Sequence, residues 1–133
     1  AAVLGLFHDA HEILTGDMPT PVKYQNQEIE AAFKGVEEAA NLNLLAMLPE
    51  DMAAVYNDLI REQDTALKPL VKAADKLSAL IKCMDERKAG NTEFLKAEAA
   101  IRDHIAAMQL EEAAIFMEEF LPAFELTLDE MRS

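Results

Sequence analysis

The hydrophobic periodicity of this 133-residue chain is helical from end to end, and that pattern argues against a fold built on a sheet. The stretch EIEAAFKGVEEAANLNLLAML shows it best, because its apolar side chains form one stripe opposite an acidic face. Four glycines and few alternating β-branched runs leave little sequence for strands and hairpins. We therefore predict an all-α fold that forms a single domain over residues 1–133, a length sufficient to bury a core.

Prolines and glycines divide the chain into segments, because both residue types interrupt regular helices. A loop is expected at TGDMPTP, a break at Leu48-Pro49 and another at Gly90-Asn91. Pro69 is expected near the start of a helix, where a missing amide hydrogen is tolerated. The predicted helices are a first one ending near Leu14, then about 25–47, about 50–61, one beginning near Pro69, a long one over about 92–120, and a short terminal one after Pro122.

Composition limits the classes of partner. The net charge is −13, from 25 acidic and 12 basic residues, which argues against binding to a nucleic-acid polymer or to an anionic membrane surface. No stretch approaches the roughly 20 apolar residues that a membrane span requires. Cys83 is the single cysteine, so an internal disulfide is excluded, and its apolar surroundings predict a packed thiol in a reducing compartment. The chain is expected to be cytoplasmic.

Three side chains with metal chemistry stand close together near the start, in the run LFHDAHEILTGDMPTPVKY. If the run is helical, His8, Asp9 and Glu12 share one face. An imidazole nitrogen with a carboxylate oxygen favours a divalent ion such as Mn, Co, Ni, Fe or Mg over a thiolate-type site. Glu12 is placed to act as a general base on a water. The pattern is also compatible with a solvated helix face, because an acidic chain produces such strings by chance.

Four stretches occur in an order that resembles a known family. They are HDAHEILTGDMPTPVKY, LVKAADKLSALIKC at 70–83, AGNTEFL at 89–95 and FMEEFLPAFELTLDE at 116–130. This order resembles the bacterial 5′-deoxynucleotidases of the HD-domain superfamily, the YfbR-like group, over nearly the whole chain. The HD pair alone is generic to that superfamily of phosphohydrolases, whereas the GDMPTPVKY continuation is typical of this small branch.

The resemblance implies a role for each matching residue. His8 and Asp9 correspond to the signature metal-ligand pair, and Asp75, in KAAD, to the distal carboxylate ligand. Glu12 resembles the catalytic acid and base. Asp17 resembles a substrate-site residue that helps to select the deoxyribose.

The resemblance also implies an activity, hydrolysis of deoxyribonucleoside 5′-monophosphates to deoxynucleoside and phosphate by a homodimeric enzyme. The implied cofactor is a divalent metal ion, Co, Mn or a similar one. In the family's helical bundle a further histidine upstream of the HD pair completes the site, whereas only seven residues precede His8 here. We therefore expect the N-terminal helices of an HD-domain bundle to lie outside this chain.

Two other functions fit the same residues. One is an HD phosphohydrolase that acts on a cyclic or pyrophosphorylated nucleotide. The other is a non-catalytic helical module for protein interaction or dimerisation. Asp75 has an alternative role as well, an ion pair with Lys72 or Lys76.

Other polar residues are predicted to have surface or packing roles. His11 is expected to be exposed, and His104 to be exposed or packed rather than a ligand. Lys23 and Tyr24 are expected mostly at the surface, with phosphate contact as the alternative. The acidic pairs Glu37-Glu38, Glu111-Glu112 and Glu118-Glu119 are interpreted as solvated helix faces.

Overall fold

The computed structural model describes residues 1–61, 66–127 and 129–130, apart from the side chain of Thr20. The chain forms two compact units, residues 1–66 and residues 67–133. No strand occurs in these described ranges, and the prediction of an all-α fold is confirmed. The single domain over residues 1–133 stays a prediction.

The first unit contains helices whose ends follow the expected signals. Asn26 caps the longest one by accepting a 2.8 Å hydrogen bond from the Ile29 amide, and Pro49 precedes the next with an extended backbone. The predictions of about 25–47 and about 50–61 are thus confirmed. The helices are α1 (Ala2–Phe7), α2 (Glu12–Thr15), α3 (Thr20–Lys23), α4 (Gln27–Ala46) and α5 (Glu50–Ile60).

Helix α4 is the scaffold of this unit, because α2, α3 and α5 all pack against it, while α1 packs against α5. The Phe7 and Tyr56 rings make an edge-to-face contact between α1 and α5, with centroids 5.4 Å apart. Apolar side chains from three helices are buried in the unit, and they are Leu4, Phe33, Ala40, Leu45 and Ile60.

The prediction of one continuous helix through the HD pair is wrong, because the helix is interrupted at that pair. Helix α1 ends at Phe7, and residues 8–11 form turns before α2 begins at Glu12. The amides of Ala10 and Glu12 bond to carbonyls three residues back, those of Phe7 and Asp9. This tighter i→i+3 winding keeps the backbone right-handed but changes which side chains share a face.

The second unit is built around one long helix, α6 (Lys68–Lys88), which begins beside Pro69 as predicted. Gly90 follows it with a φ of +88°, a conformation that glycine adopts without strain, so the predicted break is confirmed. Helices α7 (Leu95–Ala107) and α8 (Glu111–Ile115) pack against α6. The central core is formed by Ala73, Leu77, Leu80, Met84, Ile105, Ala113 and Leu121.

The single helix predicted over about 92–120 is wrong. After α7 the chain turns at Gln109, which has a φ of +51°, and it continues as α8, a π-helical turn (Phe116–Phe120) and a 3₁₀ turn (Leu121–Glu125). A left-handed conformation costs a non-glycine residue about 1–2 kcal/mol. Burial of Ala113 and Leu121 in the core with α6 offsets this cost, and no glycine or proline announces the turn in the sequence.

A buried carboxylate ties three segments of the second unit together. Glu98 on α7 is 8% exposed and accepts hydrogen bonds from Arg87 at 2.9 Å and from Arg102 at 3.2 Å. Arg87 also donates to Glu125 at 2.7 Å. The hydrogen bond from Arg87 is the main reason why the pKa of Glu98 lies below its ordinary value, despite the opposing effect of burial.

Glu98→Ala should destabilise the protein, because it leaves two arginines without the carboxylate that they share. We expect a loss of about 1–3 kcal/mol in the free energy of unfolding, measured by denaturant melts at pH 7. Glu112→Ala, on the exposed face of α8, is the matched control and should change little.

The contribution of Glu98 to stability should depend on pH in a definite direction. Because the pKa of Glu98 is lowered on folding, its contribution is present above the unfolded-state pKa and is lost as pH falls through the folded-state pKa. The difference in stability between the parent protein and Glu98→Ala should therefore shrink in acid. A difference that grows below pH 4 would contradict the assignment.

Candidate functional site

His8 is held in one orientation by a backbone contact. Its Nδ1 lies 2.7 Å from the Gly5 carbonyl oxygen, which can only accept, so Nδ1 carries the proton and donates. The Nε2 atom then presents a lone pair. It is buried, and it lies 2.9 Å from Asp9 Oδ2 without the alignment of a hydrogen bond. This is the arrangement in which histidines bind metal ions, with the distal nitrogen fixed by a carbonyl.

His8 and Asp9 fit a divalent ion by donor type, since they place an imidazole lone pair beside a half-exposed carboxylate. Within residues 1–61 no third His, Cys, Asp or Glu side chain joins them to form a group that could hold a metal ion. Asp75 lies exposed on α6 in the second unit, where Val71 and Leu77 of the same helix are buried. Its role as a metal ligand stays a prediction.

Glu12 begins α2, one turn beyond the HD pair, and is partly buried. Burial raises its pKa above the ordinary value, and the negative charges of Asp9 and Asp17 raise it further. Asp17 is exposed in the loop after Gly16, whose φ of +71° ends α2. Two further carboxylates, those of Asp9 and Asp17, are therefore close enough to Glu12 to affect its protonation.

An ion pair connects α3, which follows this loop, to α4. Lys23 Nζ contacts Glu37 Oε1 directly, and it also lies 4.6 Å from the centre of the Phe33 ring. Burial acts to lower the pKa of Lys23, but the hydrogen bond and charge of Glu37 outweigh it and raise the pKa. Lys23, which was expected at the surface, is partly buried and paired with Glu37, whereas Tyr24 is exposed as predicted.

Four further predictions of exposure or burial have clear outcomes. His11 is 8% exposed, so the predicted surface position is wrong, and its Nε2 lies 3.5 Å from Glu37 Oε1. Glu37 and Glu38 are partly buried and paired rather than solvated. His104 is exposed and Cys83 is buried, as expected.

A polar cavity of about 190 Å³ lies beside His8. Two of its residues, Asn41 on α4 and Arg61 after α5, were missed by sequence reasoning, because neither belongs to a motif. The one available signal was the position of Asn41 directly after Ala39 and Ala40 in the run AANLNLL, since a buried amide needs partners. The lining residues are His8, His11, Lys34, Glu37, Glu38, Asn41, Ile60 and Arg61.

Comparison with known proteins places the chain in a family. The family model described as 5′-deoxynucleotidase YfbR-like matches residues 1–124. The chain belongs to the YfbR-like 5′-deoxynucleotidase family. A protein of Erwinia tasmaniensis named 5′-deoxynucleotidase is 45% identical over 132 residues, which are 98% of this chain and 67% of the relative.

Two further relatives carry the name 5′-deoxynucleotidase YfbR. The one from Shigella dysenteriae is 45% identical and the one from Escherichia coli 44%, each over 98% of this chain and 66% of the relative. The chain therefore spans about two thirds of the length of these curated relatives. The resemblance read from the four sequence stretches is confirmed, and so is membership in a family of nucleotide phosphohydrolases.

Glu37→Ala should destabilise the first unit, because it strips a partly buried lysine of its partner. We expect a loss of about 1–2 kcal/mol, below the cost of breaking a fully buried pair. The matched control is Glu30→Ala on the same helix, whose partner Lys34 has a side chain that is 66% exposed. Chemical denaturation should show little change for Glu30→Ala, and equal losses in the two variants would contradict the structural role of Glu37.

Proposed function

We propose that this chain carries out metal-dependent hydrolysis of deoxyribonucleoside 5′-monophosphates to deoxynucleoside and phosphate. The observation that carries the proposal is the family match over residues 1–124, which include an HD pair whose histidine presents a free Nε2 beside a carboxylate. Nucleotide hydrolysis is the activity that the relatives are named for.

We assign His8, Asp9 and Asp75 as the residues that hold the metal ion. Imidazole and carboxylate donors favour Co, Mn or a similar divalent ion. Soft metals prefer thiolate ligands, and none of these three residues is a cysteine. When bound, such an ion supplies positive charge that stabilises the negative charge of a transferring phosphoryl group.

Glu12 is assigned the proton transfers of the reaction. Its carboxylate accepts a proton from the attacking water as the oxygen of that water bonds to phosphorus. The bond from phosphorus to the 5′-oxygen breaks, and Glu12 returns the proton to that oxygen, so that deoxynucleoside and inorganic phosphate leave. Partial burial, and then the charges of Asp9 and Asp17, raise the pKa of Glu12 above its ordinary value, which is the direction that helps a carboxylic acid to return a proton.

Asp17 is assigned to selection of the deoxyribose. It is exposed in the short segment between Gly16 and Pro19, and the Lys23–Glu37 pair anchors α3, which follows that segment, on α4. A carboxylate at this position would select against a ribose by occupying the space that the 2′-hydroxyl needs. The loop's restricted conformation supports such a positional role.

The proposal includes the compartment and the oligomeric state of the enzyme. No helix in the described ranges is long and apolar enough to cross a membrane. A free buried thiol, Cys83, agrees with the cytoplasm as the compartment. A homodimer is the assembly that the family resemblance implies, and sedimentation analysis of the protein at micromolar concentration tests it.

The decisive experiment measures phosphate release from dAMP and from AMP. The full gene product that contains these 133 residues is stripped of metal with a chelator and then supplied with Co or Mn. We expect release from dAMP only after metal is added, and at least about tenfold less from AMP. No release from either nucleotide while metal is bound would redirect the proposal to another phosphorylated substrate.

Two substitutions separate the roles of the carboxylates. Glu12→Gln should lower turnover of dAMP by about 100-fold or more while the bound metal is retained, since it removes the proton acceptor and leaves the ligands. Asp75→Asn should instead raise the metal concentration needed for half-maximal activity. Asp51→Asn, exposed in the first turn of α5, is the control. Near-normal turnover in Glu12→Gln would remove that residue from the mechanism.

A further inference from the structure

One carboxylate on α4 contacts both ends of the segment that carries two of the assigned residues. Glu37 Oε1 lies 3.5 Å from Nε2 of His11, and the same oxygen contacts Nζ of Lys23. His11 directly precedes Glu12 at the start of α2, and Lys23 is the last residue of α3. Glu12 and Asp17 therefore lie between two contacts that meet at one oxygen atom.

The two short helices of this segment have little else to fix their position. Helices α2 and α3 contain four residues each, and helices of that length are not stable by themselves in water. Among the described residues of α2 none is buried, and the side chains of Ile13 and Leu14 are largely exposed. The place of the segment on α4 therefore depends strongly on polar contacts.

The contact at His11 lies away from bulk water. His11 is buried, and the side chain of Glu37 is about four-fifths buried. The two atoms lack the alignment of a hydrogen bond in this structure, so the contact is electrostatic. Because a carboxylate oxygen can only accept, it favours the form of His11 that carries a proton on Nε2. Burial strengthens the attraction, since less water screens it.

The contact at Lys23 uses two side chains that are one turn apart on α4. The ammonium group lies 4.6 Å from the centre of the buried Phe33 ring, and Glu37 is four residues further along the same face. A cation held by a ring and by a carboxylate loses most of the freedom of a surface lysine. The end of α3 is thus fixed to the helix that also holds His11.

The charge of Lys23 reaches Glu12. Burial raises the pKa of Glu12, and the positive charge of Lys23 is one of the effects that oppose this rise. Glu37 balances that charge by pairing with it. Removal of Glu37 would leave an unpaired ammonium group near the residue to which the proton transfers are assigned.

We propose that Glu37 is a positioning residue for the reaction, because its two contacts hold Glu12 and Asp17 in fixed places relative to the HD pair. The inference rests on the proposed function, since Glu37 acts through residues assigned there. A displacement of about 1 Å can cost about 100-fold in rate. The two contacts should therefore govern turnover through Glu12 and sugar selection through Asp17 together.

The test measures two quantities in the full gene product with saturating Co or Mn. They are kcat for dAMP and the ratio of kcat/KM for dAMP to that for AMP, at a temperature where circular dichroism shows each variant folded. Glu37→Leu should lower kcat by about 10- to 100-fold and bring the ratio below about threefold. Glu37→Gln keeps an oxygen acceptor, so its kcat should stay within about fivefold of the parent value.

A second variant approaches the same contact from the other side. Lys23→Met should lower both quantities as well, and it decides the matter if Glu37→Leu does not fold. Glu30→Leu is the matched control, because Glu30 lies on the same helix and pairs with the exposed Lys34. Both quantities should equal those of the parent protein in this control.

A merely structural role of Glu37 would lower stability but leave kcat and the ratio of the folded protein unchanged, and that result overturns the inference. A fall in only one of the two quantities overturns it too, and so does an equal fall in Glu30→Leu. Asp17→Asn is measured alongside, and an unchanged ratio in that variant contradicts the role proposed for Asp17. Failure of the parent protein to release phosphate from dAMP contradicts the proposed function instead.

Discussion

The ion pair between Lys23 and Glu37 is the contact on which the first unit's candidate site depends. It joins α3, the helix that follows the loop containing Asp17, to the scaffold helix α4, and Glu37 also lies next to the buried His11. Because Phe33 lies under the same ammonium group, the pair is partly shielded from water and is worth more than a surface pair. The position of the loop relative to the HD segment follows from this contact.

Buried polar groups are fully paired at Glu98 in the second unit and partly unpaired at His11 and Asn41 in the first. In the second unit, Glu98 is satisfied by two arginines, so its burial stabilises the packing of α6 and α7. In the first unit, His11 and Asn41 are equally buried but keep unpaired atoms around a cavity. Unpaired buried groups are rare in proteins, and in this unit they cluster around the cavity beside the HD pair.

Much of the fold could be predicted because its signals are local. Asn26, Pro49 and Pro69 act through their own backbone or the first helical turn, and the helices that they start lie where expected. The break within residues 92–120 could not be predicted, because Gln109 has no intrinsic preference for its left-handed conformation. Burial of Ala113 against α6 requires that turn, and this contact is distant in sequence.

The candidate site also combines features set by local sequence with features set by contacts between distant residues. The sequence by itself determined the all-α class and the family, and it made His8, Asp9 and Glu12 candidates for the site, since helical periodicity and a contiguous motif are properties of neighbouring residues. Only the tertiary structure decided that His11 is buried and that Arg61 presents a free Nε–H to the cavity. Burial and hydrogen-bond pairing depend on side chains from other helices, and no local pattern specifies which of them meet.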